Sequence, residues 1–264
     1  MHERERWQII LKTLGAKPVA TVAEIAELTE SSPATARRDV AKLAEQGLLR
    51  RVHGGAEALV SDDQPLASRS FDVRLALNLP KKRAIARAAA ALCVDGDSII
   101  INGGTTTFEM VEHLAARRMQ VLTNSFPMAD ALMRGSRNRI LVPGGQIYRE
   151  QGVILSPYDD DSLRHHYASI MFLGAQGIVP LGVMEGDPLL IRAEQKLIDR
   201  AERLVVLADS SKFRSRGGLI LCPLARIHTI ITDDEIDPKA VEMCREAGVD
   251  VQIVSPLAPA SSAA

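Results

Sequence analysis

Apolar residues recur at helical spacing three times within the first fifty positions of the chain. The first run predicts a helix over residues 3–14. The second predicts a helix starting at Thr21, because Thr21 and Glu24 have the spacing of a capping box. Its expected buried residues are Val22, Ile25, Ala26 and Leu28. A polar turn over residues 29–31 leads into the third helix.

The third helix has the clearest beginning and end. Ser32 is a typical N-cap residue, and Pro33 suits the first helical position because its missing N–H costs nothing there. Gly47 can adopt the left-handed conformation that ends a helix. The residues that mark its buried stripe are Ala36, Val40 and Leu43.

Two short strands, over 48–52 and 56–60, are predicted after the third helix, around a turn at 53–55. Three helices followed by a hairpin are typical of a winged helix-turn-helix. Cations cluster on the third helix and the hairpin, and such a cluster suits contacts with the phosphate oxygens and base edges of DNA. The expected DNA-binding residues are Ser32, Thr35, Arg37, Arg38, Lys42, Arg50, Arg51 and His53. A helical module for protein–protein contacts is the alternative, and it leaves this clustering unexplained.

Beyond residue 80, short apolar runs alternate with helical stretches. The predicted strands are 98–102, 121–124, 140–142, 169–173, 204–207, 229–232 and 249–253. The alternation predicts an α/β domain with a mostly parallel sheet. The expected organisation is a DNA-binding domain over 1–60, a linker over 61–79, an α/β effector-binding domain over 80–254 and a disordered tail over 255–264.

Polar residues and glycines gather where the predicted strands end, and parallel sheets bind ligands at that edge. The turn after the strand 98–102 is followed by a helix, a combination that suits an anion but also a purely structural turn. Lys212 can meet a phosphate as a point charge. The expected effector-binding residues are Asn102, Gly104, Thr105, Thr106, Thr107, Asn124, Gly144, Gly145, Gln176, Asp209 and Lys212. Neither a Walker A loop nor a dinucleotide fingerprint is present, so nucleotide hydrolysis is not predicted.

Composition narrows the class of protein. A chain of 264 residues with 46% hydrophobic residues is long enough for two domains. The net charge of −1 means that DNA binding must come from a local cluster. The three cysteines have no metal-ligand spacing, and they are expected to be buried and reduced. With no signal-peptide pattern and no apolar run long enough to span a bilayer, a cytoplasmic protein without metal or cofactor is expected.

The segment 32–56, from Ser-Pro-Ala-Thr-Ala-Arg-Arg-Asp-Val to Arg-Arg-Val-His-Gly-Gly-Ala, resembles the signature of the DeoR family of bacterial transcriptional regulators. The second half resembles the DeoR sensor domain, which is similar to sugar-phosphate isomerases of the ribose-5-phosphate isomerase type. The segments on which the resemblance to the sensor domain rests are Asp95-Gly96-Asp97, Gly104-Thr105-Thr106, Leu122-Thr123-Asn124, Gly144-Gly145, Gly174-Ala175-Gln176-Gly177, Glu194-Gln195-Lys196 and Asp209-Ser210-Ser211-Lys212-Phe213. Together the two resemblances span residues 3–254.

The resemblance implies a repressor of a carbohydrate-utilisation operon. It would bind double-stranded operator DNA in the major groove as a homodimer or homotetramer. A phosphorylated sugar or sugar acid would relieve repression, and Arg74 and Lys82 could approach that effector. An activator and a sugar-phosphate isomerase with an appended DNA-binding module are the alternatives.

Two departures from the family pattern weigh against isomerase chemistry. Asn102 and Ser169 stand near places where the family often has aspartate, and proton transfer between carbons needs a positioned base. Asn102, Ser169 and the pair His165-His166 also resemble the ascorbate-utilisation branch of the family. The histidine pair is otherwise read as ordinary helix surface.

Overall fold

The computed structural model describes residues 2–16, 19–52, 54–58, 71–149, 151–156, 162–215 and 218–256. The chain divides into two compact units, Met1–Leu79 and Pro80–Ala264. His53 and nearly all of the expected tail lie outside the described residues.

The N-terminal unit contains helices and a small sheet. Its helices are α1 (Glu3–Ala16), α2 (Val22–Leu28), α3 (Pro33–Glu45) and α4 (Phe71–Ala76). Its strands are β1 (Val19–Thr21), β2 (Leu49–Val52) and β3 (Gly55–Ala58), in the antiparallel order β1-β3-β2. The predicted hairpin is therefore confirmed. Strand β1 was not predicted; it pairs with β3 and so ties the hairpin to the segment before α2.

Local capping explains where α2 and α3 begin and end. The Thr21 hydroxyl accepts from Glu24 N–H at 3.2 Å, and Thr21 N–H donates to Glu24 Oε2 at 2.9 Å, which confirms the capping box. The Ser32 hydroxyl accepts from Thr35 N–H at 3.2 Å. Gly47 has φ +68°, and Leu48 N–H donates to Leu43 O at 2.9 Å, so α3 ends in a left-handed glycine cap.

The core of the N-terminal unit follows the predicted stripes with few exceptions. Ala36, Val40 and Leu43 are buried, as expected. Leu28 is half exposed, because it lies on the outer side of the last turn of α2, and its predicted burial was wrong. Helix α4 occupies part of the segment predicted to be a linker without regular structure, and it lies against α1.

The second unit is built on a sheet of seven parallel strands, which confirms the α/β class. The strands are β4 (Ser98–Ile101), β5 (Gln120–Thr123), β6 (Arg139–Leu141), β9 (Ala168–Gly174), β12 (Ala201–Leu207), β14 (Thr229–Asp233) and β15 (Asp250–Val254). Their order is β15-β14-β12-β9-β4-β5-β6, and every neighbouring pair is parallel.

Helices and smaller strand groups surround this sheet. The helices are α5 (Leu79–Ala90), α6 (Thr105–Phe108), α7 (Met110–Leu114), α8 (Phe126–Gly135), α9 (Pro188–Ile198) and α10 (Pro238–Glu246). Strands β7 (Gln146–Tyr148) and β8 (Val153–Leu155) form an antiparallel hairpin. Strands β10 (Gly177–Val179), β11 (Gly182–Glu185) and β13 (Leu219–Cys222) form a separate antiparallel sheet. Neither of these two groups was predicted.

Two apolar clusters fill the second unit. One contains Met171, Leu173, Leu204 and Val206, and the other contains Ile99, Ile101, Phe172 and Val205. Residues that alternate along β9 and β12 therefore belong to different clusters, as expected for a sheet buried on both faces. The three cysteines are buried thiols, and burial raises the pKa of each to about 11. Among the described residues, no helix is both long and apolar enough to cross a bilayer.

Candidate functional site

Helix α3 presents an exposed cationic side opposite its buried stripe. Arg37, Arg38, Lys42, Arg50 and Arg51 are exposed on α3 and β2, as predicted. Two of these cations are already paired within the unit. Lys42 Nζ pairs with Glu3 Oε1, and the Arg50 guanidinium donates to Glu57 at 2.9 and 2.6 Å. Within the described part of the chain, Arg37, Arg38 and Arg51 form no ion pair.

Two further predicted DNA-binding residues serve the start of α3. The hydroxyls of Ser32 and Thr35 lie 2.9 Å apart, and Thr35 is only partly exposed. The Ser32 hydroxyl therefore has a capping role whatever it contacts on DNA.

A partly buried ion pair, which the sequence interpretation missed, fixes α3 to α1. Arg6 donates to Asp39 Oδ2 at 2.7 Å through Nε and to Oδ1 at 3.1 Å through Nη2. Trp7 Nε1 also donates to Asp39 Oδ1, at 3.1 Å. Asp39 lies on α3 between the two exposed arginines and the buried Val40, and it is buried itself. This fork of bonds fixes the rotation of α3 about its axis, and so the direction in which Arg37 and Arg38 project.

The second unit has a topological switch point between β4 and β9. From β4 the chain adds β5 and β6 on one side, and from β9 it adds β12, β14 and β15 on the other. The connections after β4 and β9 therefore leave in opposite directions and open a crevice at the carboxyl edge. Ligands of open parallel sheets bind in such a crevice. The segments that line it are residues 102–106 after β4 and 174–176 after β9.

Asn102 joins the two sides of the crevice. Its Oδ1 accepts from Gly174 N–H at 2.8 Å, and its Nδ2 donates to Glu194 Oε1 on α9 at 2.7 Å. A Cβ atom on Gly104 would lie 3.0 Å from Thr107 Oγ1 and 3.7 Å from Gly174 Cα. Glycine at 104 thus keeps the crevice open to a ligand at the backbone.

Thr107 and Asn124 hold the loop after β4. The fully buried Thr107 hydroxyl lies 3.0 Å from the carbonyl oxygens of Asn102 and Gly104, to which it donates. Asn124 Oδ1 accepts from Gly103 N–H at 2.9 Å. Thr106 is also buried, and Thr105 is partly exposed. Of the three threonines, Thr105 is the one best placed to reach a ligand, whereas Thr107 supports the loop.

Two carboxyl groups lie beneath the crevice. Glu194 is buried, and burial together with the charge of Glu185 raises its pKa to about 8, although the hydrogen bond from Asn102 acts in the opposite direction. Glu185 accepts from the Gln176 side-chain amide and from Gly186 N–H, the latter at 2.7 Å. Gln176, predicted to bind the effector, thus has an internal partner. At neutral pH the Glu194 carboxyl is mostly protonated.

The end of β12 forms a second polar cluster. Asp209 is buried and accepts from Ser211 N–H at 3.1 Å, which caps the 3-10 helix Ser210–Arg214. Lys212, in this helix, is partly exposed. Lys81 donates to Ser210 Oγ at 3.1 Å and pairs with Asp233 at 3.0 Å and with Glu235 at 2.7 Å. Lys81 thus binds the ends of β12 and β14, a contact that the sequence interpretation missed when it singled out the neighbouring Lys82, which is buried.

The remaining predicted residues lie farther along the same edge. Gly144 and Gly145 are exposed and precede the β7–β8 hairpin. Gly145 has φ +151°, and a Cβ there would lie 2.2 Å from Leu155 O, so the close strand approach requires glycine. His165 is exposed and accepts from Arg164 Nε at 3.0 Å. Arg74 belongs to the N-terminal unit, on α4.

Comparison with known proteins agrees with this two-unit architecture. Residues 6–62 match the model of the DeoR-like helix-turn-helix domain, and residues 77–234 match that of the DeoR C-terminal sensor domain. The chain belongs to the DeoR family. It is 33% identical over 253 residues to the HTH-type transcriptional regulator UlaR of Shigella dysenteriae serotype 1, covering 95% of this chain and 99% of that one.

A second regulator of the same name has the same degree of similarity. The UlaR regulator of Escherichia coli O127:H6 is 33% identical over 256 residues, which cover 96% of this chain and all of the relative. A ribose 5-phosphate isomerase A from Methanocaldococcus jannaschii overlaps half of this chain and 53% of its own, with 20% identity and a TM-score of 0.38.

This DeoR-family protein is a transcriptional regulator and not an enzyme. Its N-terminal unit is the DNA-binding domain, and the parallel-sheet unit is the sensor domain for a small-molecule effector. The alternative of an isomerase with an appended DNA-binding module is therefore set aside.

The protonated Glu194 gives the sensor unit of this DeoR-family regulator a specific pH dependence. From the ordinary pKa of 4.5 to the folded value of about 8, the folded state holds a proton that the unfolded state has released. The free energy of unfolding should therefore fall by up to about 1.4 kcal/mol per pH unit as the pH rises through this range. Glu194→Gln keeps an acceptor for Asn102 and should remove this slope.

Denaturant unfolding of the sensor unit at pH 5.5 and 7.5 measures the effect. The exposed Glu246→Gln variant on α10 serves as the control and should keep the wild-type slope. An unchanged slope in Glu194→Gln would mean that Glu194 is ionised in the folded state.

Proposed function

We propose that this DeoR-family regulator represses a carbohydrate-utilisation operon and that a phosphorylated sugar or sugar acid relieves repression. The observation that carries the proposal is the crevice between β4 and β9. Its walls are glycine backbone and the partly exposed Thr105, and its floor is the Asn102–Glu194 pair, which is uncharged while Glu194 is protonated. While Glu194 is protonated, Glu185 is the one charged carboxyl group of the two beneath the crevice, and it repels an anionic ligand less than two ionised carboxylates would.

The relatives support the same assignment. Regulators named UlaR align along nearly the whole chain, and the matched sensor-domain model covers the strands that form the crevice. Paired operator half-sites require paired recognition helices, so we propose a homodimer or homotetramer acting in the cytoplasm. The effector can switch the protein only if it binds one arrangement of the DNA-binding domains more tightly than the other.

The most direct test replaces Gly104 with a residue whose side chain fills the crevice. In Gly104→Val, the added side chain meets Thr107 and Gly174, and packing strain of about 1–3 kcal/mol would have to be overcome for a ligand to bind. We expect operator binding to be unchanged and the effector concentration for release to rise about tenfold or more. Gly135→Val is the matched control, because a Cβ at position 135 meets nothing within 4 Å.

The measurement is an operator mobility shift titrated with a panel of sugar phosphates, sugar acids and their phosphorylated forms. Release of wild-type protein by a panel member, with resistance in Gly104→Val alone, supports the proposal. Tighter DNA binding with the ligand, and transcription that rises as a result, would identify an activator. If the effector releases Gly104→Val and Gly135→Val equally, the ligand does not bind in the crevice.

A further inference from the structure

A pocket lies at the amino edge of the sensor sheet, between residues 115–118 before β5 and residues 134–137 before β6. We call it the amino-edge pocket. Because β4, β5 and β6 are parallel, these segments lie at the edge opposite to the loop that follows β4 and lines the crevice. The pocket has a volume of about 420 Å³, which suits a small molecule. A ligand bound there would occupy a site separate from the effector crevice.

Arginine dominates the lining of this pocket. Four of the eight described residues that line it are arginines, and none of the eight is acidic. The arginines are Arg117, Arg118, Arg134 and Arg137. The other four are alanine, glycine and serine, so the lining offers no aromatic or large apolar side chain to a hydrophobic ligand. The amino-edge pocket therefore selects a ligand by charge.

Most of this positive charge is not paired inside the protein. Arg134 forms an ion pair with Asp130 at 2.8 Å. The other three guanidinium groups form no ion pair within the described ranges. One more carboxylate lies nearby, since Asp95 accepts from the backbone N–H of Arg118 at 3.1 Å. Four cations thus stand against two carboxylates, neither of which lines the pocket.

Helix ends account for only part of the arginine cluster. Helices α7 and α8 both end at the pocket, and cations near a helix C-terminus offset the negative end of its dipole. That end is equivalent to about half a charge at most. Its carbonyl groups also have donors already, because Asn138 Nδ2 donates to Leu114 O at 2.9 Å and Ser136 N–H donates to Leu132 O at 3.0 Å. The helix ends and the two carboxylates therefore leave positive charge for a bound anion to balance.

Hydrogen bonds fix the two arginine-bearing segments relative to each other. Asn138 Oδ1 accepts from Met119 N–H at 2.9 Å, and Asn138 Nδ2 donates to Leu114 O. Arg139 N–H donates to Met119 O at 2.8 Å. The backbone on both sides of the pocket is thus preorganised, and an anion would have to order only the arginine side chains.

We propose that the amino-edge pocket binds a polyphosphate anion, either free or as the phosphate chain of a nucleotide. A guanidinium group pairs with two phosphate oxygens at once, and arginines stand on both walls. A chain of two or three phosphates offers charged oxygens to both walls, whereas a single phosphate offers them over a shorter span. This inference concerns a second site and does not depend on the proposed effector.

The test is isothermal titration calorimetry of the full-length protein with tripolyphosphate, pyrophosphate, orthophosphate and ATP. Arg118→Gln/Arg137→Gln removes one exposed cation from each wall. Arg87→Gln/Arg245→Gln, at exposed positions on α5 and α10, is the matched control because it changes the net charge equally. We expect affinity to rise from orthophosphate to tripolyphosphate. The pocket variant should bind tripolyphosphate about tenfold or more weakly than wild type, and the control should match wild type.

Variants at the other two anion-binding surfaces locate the ligand. Gly104→Val fills the crevice, and Arg37→Ala/Arg38→Ala removes two cations from α3. Both should keep the wild-type affinity for tripolyphosphate. Loss of that affinity in either one would place the anion in the crevice or on the DNA-binding surface and overturn the proposal. Circular dichroism verifies that the pocket variant is folded.

The ATP titration separates the two sources of a phosphate chain. Equal affinities for ATP and tripolyphosphate indicate that the phosphate chain alone is bound, and tighter binding of ATP that the pocket variant loses indicates a nucleotide. Both results support the proposal. It is overturned if the pocket variant keeps wild-type affinity or if the wild type binds none of the four anions. Weaker operator binding by the pocket variant, without anion binding by the wild type, would assign these arginines to DNA instead.

Discussion

Replacing Asp39 with alanine is expected to lower the free energy of unfolding of the N-terminal unit by about 3 kcal/mol, since it removes three hydrogen bonds, two of them from a guanidinium. The loss is large for a unit of this size, because small domains are only marginally stable. Hydrogen exchange of α1 and α3 peptides measures it. We expect exchange to speed up in both helices and operator binding to weaken, because α3 is no longer held at its observed rotation.

The pH dependence of this effect has a definite sign. Burial by itself would raise the pKa of Asp39, but hydrogen bonds from Arg6 and Trp7 and the charge of Arg6 outweigh it, so the pKa lies below its ordinary value. The stabilisation is therefore complete above the unfolded pKa of about 3.9 and is lost as the pH falls through the folded value. Asp39→Asn, which keeps an acceptor for Trp7, should differ from wild type by a constant amount near neutrality and converge with it in acid. If the difference in the free energy of unfolding between Asp39→Asn and wild type persists unchanged in acid, the ion pair is not its cause.

The double variant Arg37→Ala/Arg38→Ala should weaken operator binding by a factor of about a hundred or more, since charge-assisted contacts contribute about 1.5–3 kcal/mol each. Both side chains are exposed on α3 and, among the described residues, have no ion-pair partner that would compete with DNA. If both contact phosphates, the slope of log affinity against log salt should become shallower by about two. Fluorescence anisotropy at several salt concentrations measures both quantities.

Two further variants serve as comparisons for the double variant. Arg134→Ala removes an exposed cation from α8 of the sensor unit and should leave DNA binding unchanged. Arg51→Ala should have an intermediate effect, because it removes one cation from β2. Wild-type operator affinity in the double variant would place the DNA-binding surface elsewhere on the unit.

The elements that the sequence predicts best are those whose boundaries depend on local contacts. Helix α3 is an example: its cap, its proline and its terminal glycine act within a few residues, so the pattern alone locates it. The seven core strands are predictable because strands buried on both faces read as continuous apolar runs. The β7–β8 hairpin and the small antiparallel sheet are three- and four-residue strands with mixed patterns, and their pairing depends on the tertiary structure.

The candidate sites were predictable only in outline. Asn102, Gly104 and Asn124 follow strands, and the sheet brings them together, as expected. Arg6 and Asp39 are 33 positions apart, and Lys81 and Ser210 are 129 apart, so no local pattern could have joined them.

The pairing of β1 with β3 has a consequence for how the protein meets DNA. In the order β1-β3-β2, the β2–β3 hairpin is held on one side by β1, and the arginine-bearing β2 is the outer strand. Strands β2 and β3 are thus already paired before an encounter, and complex formation does not have to order them. Association should accordingly be fast and limited by diffusion and charge, whereas the lifetime of the complex would depend on the effector.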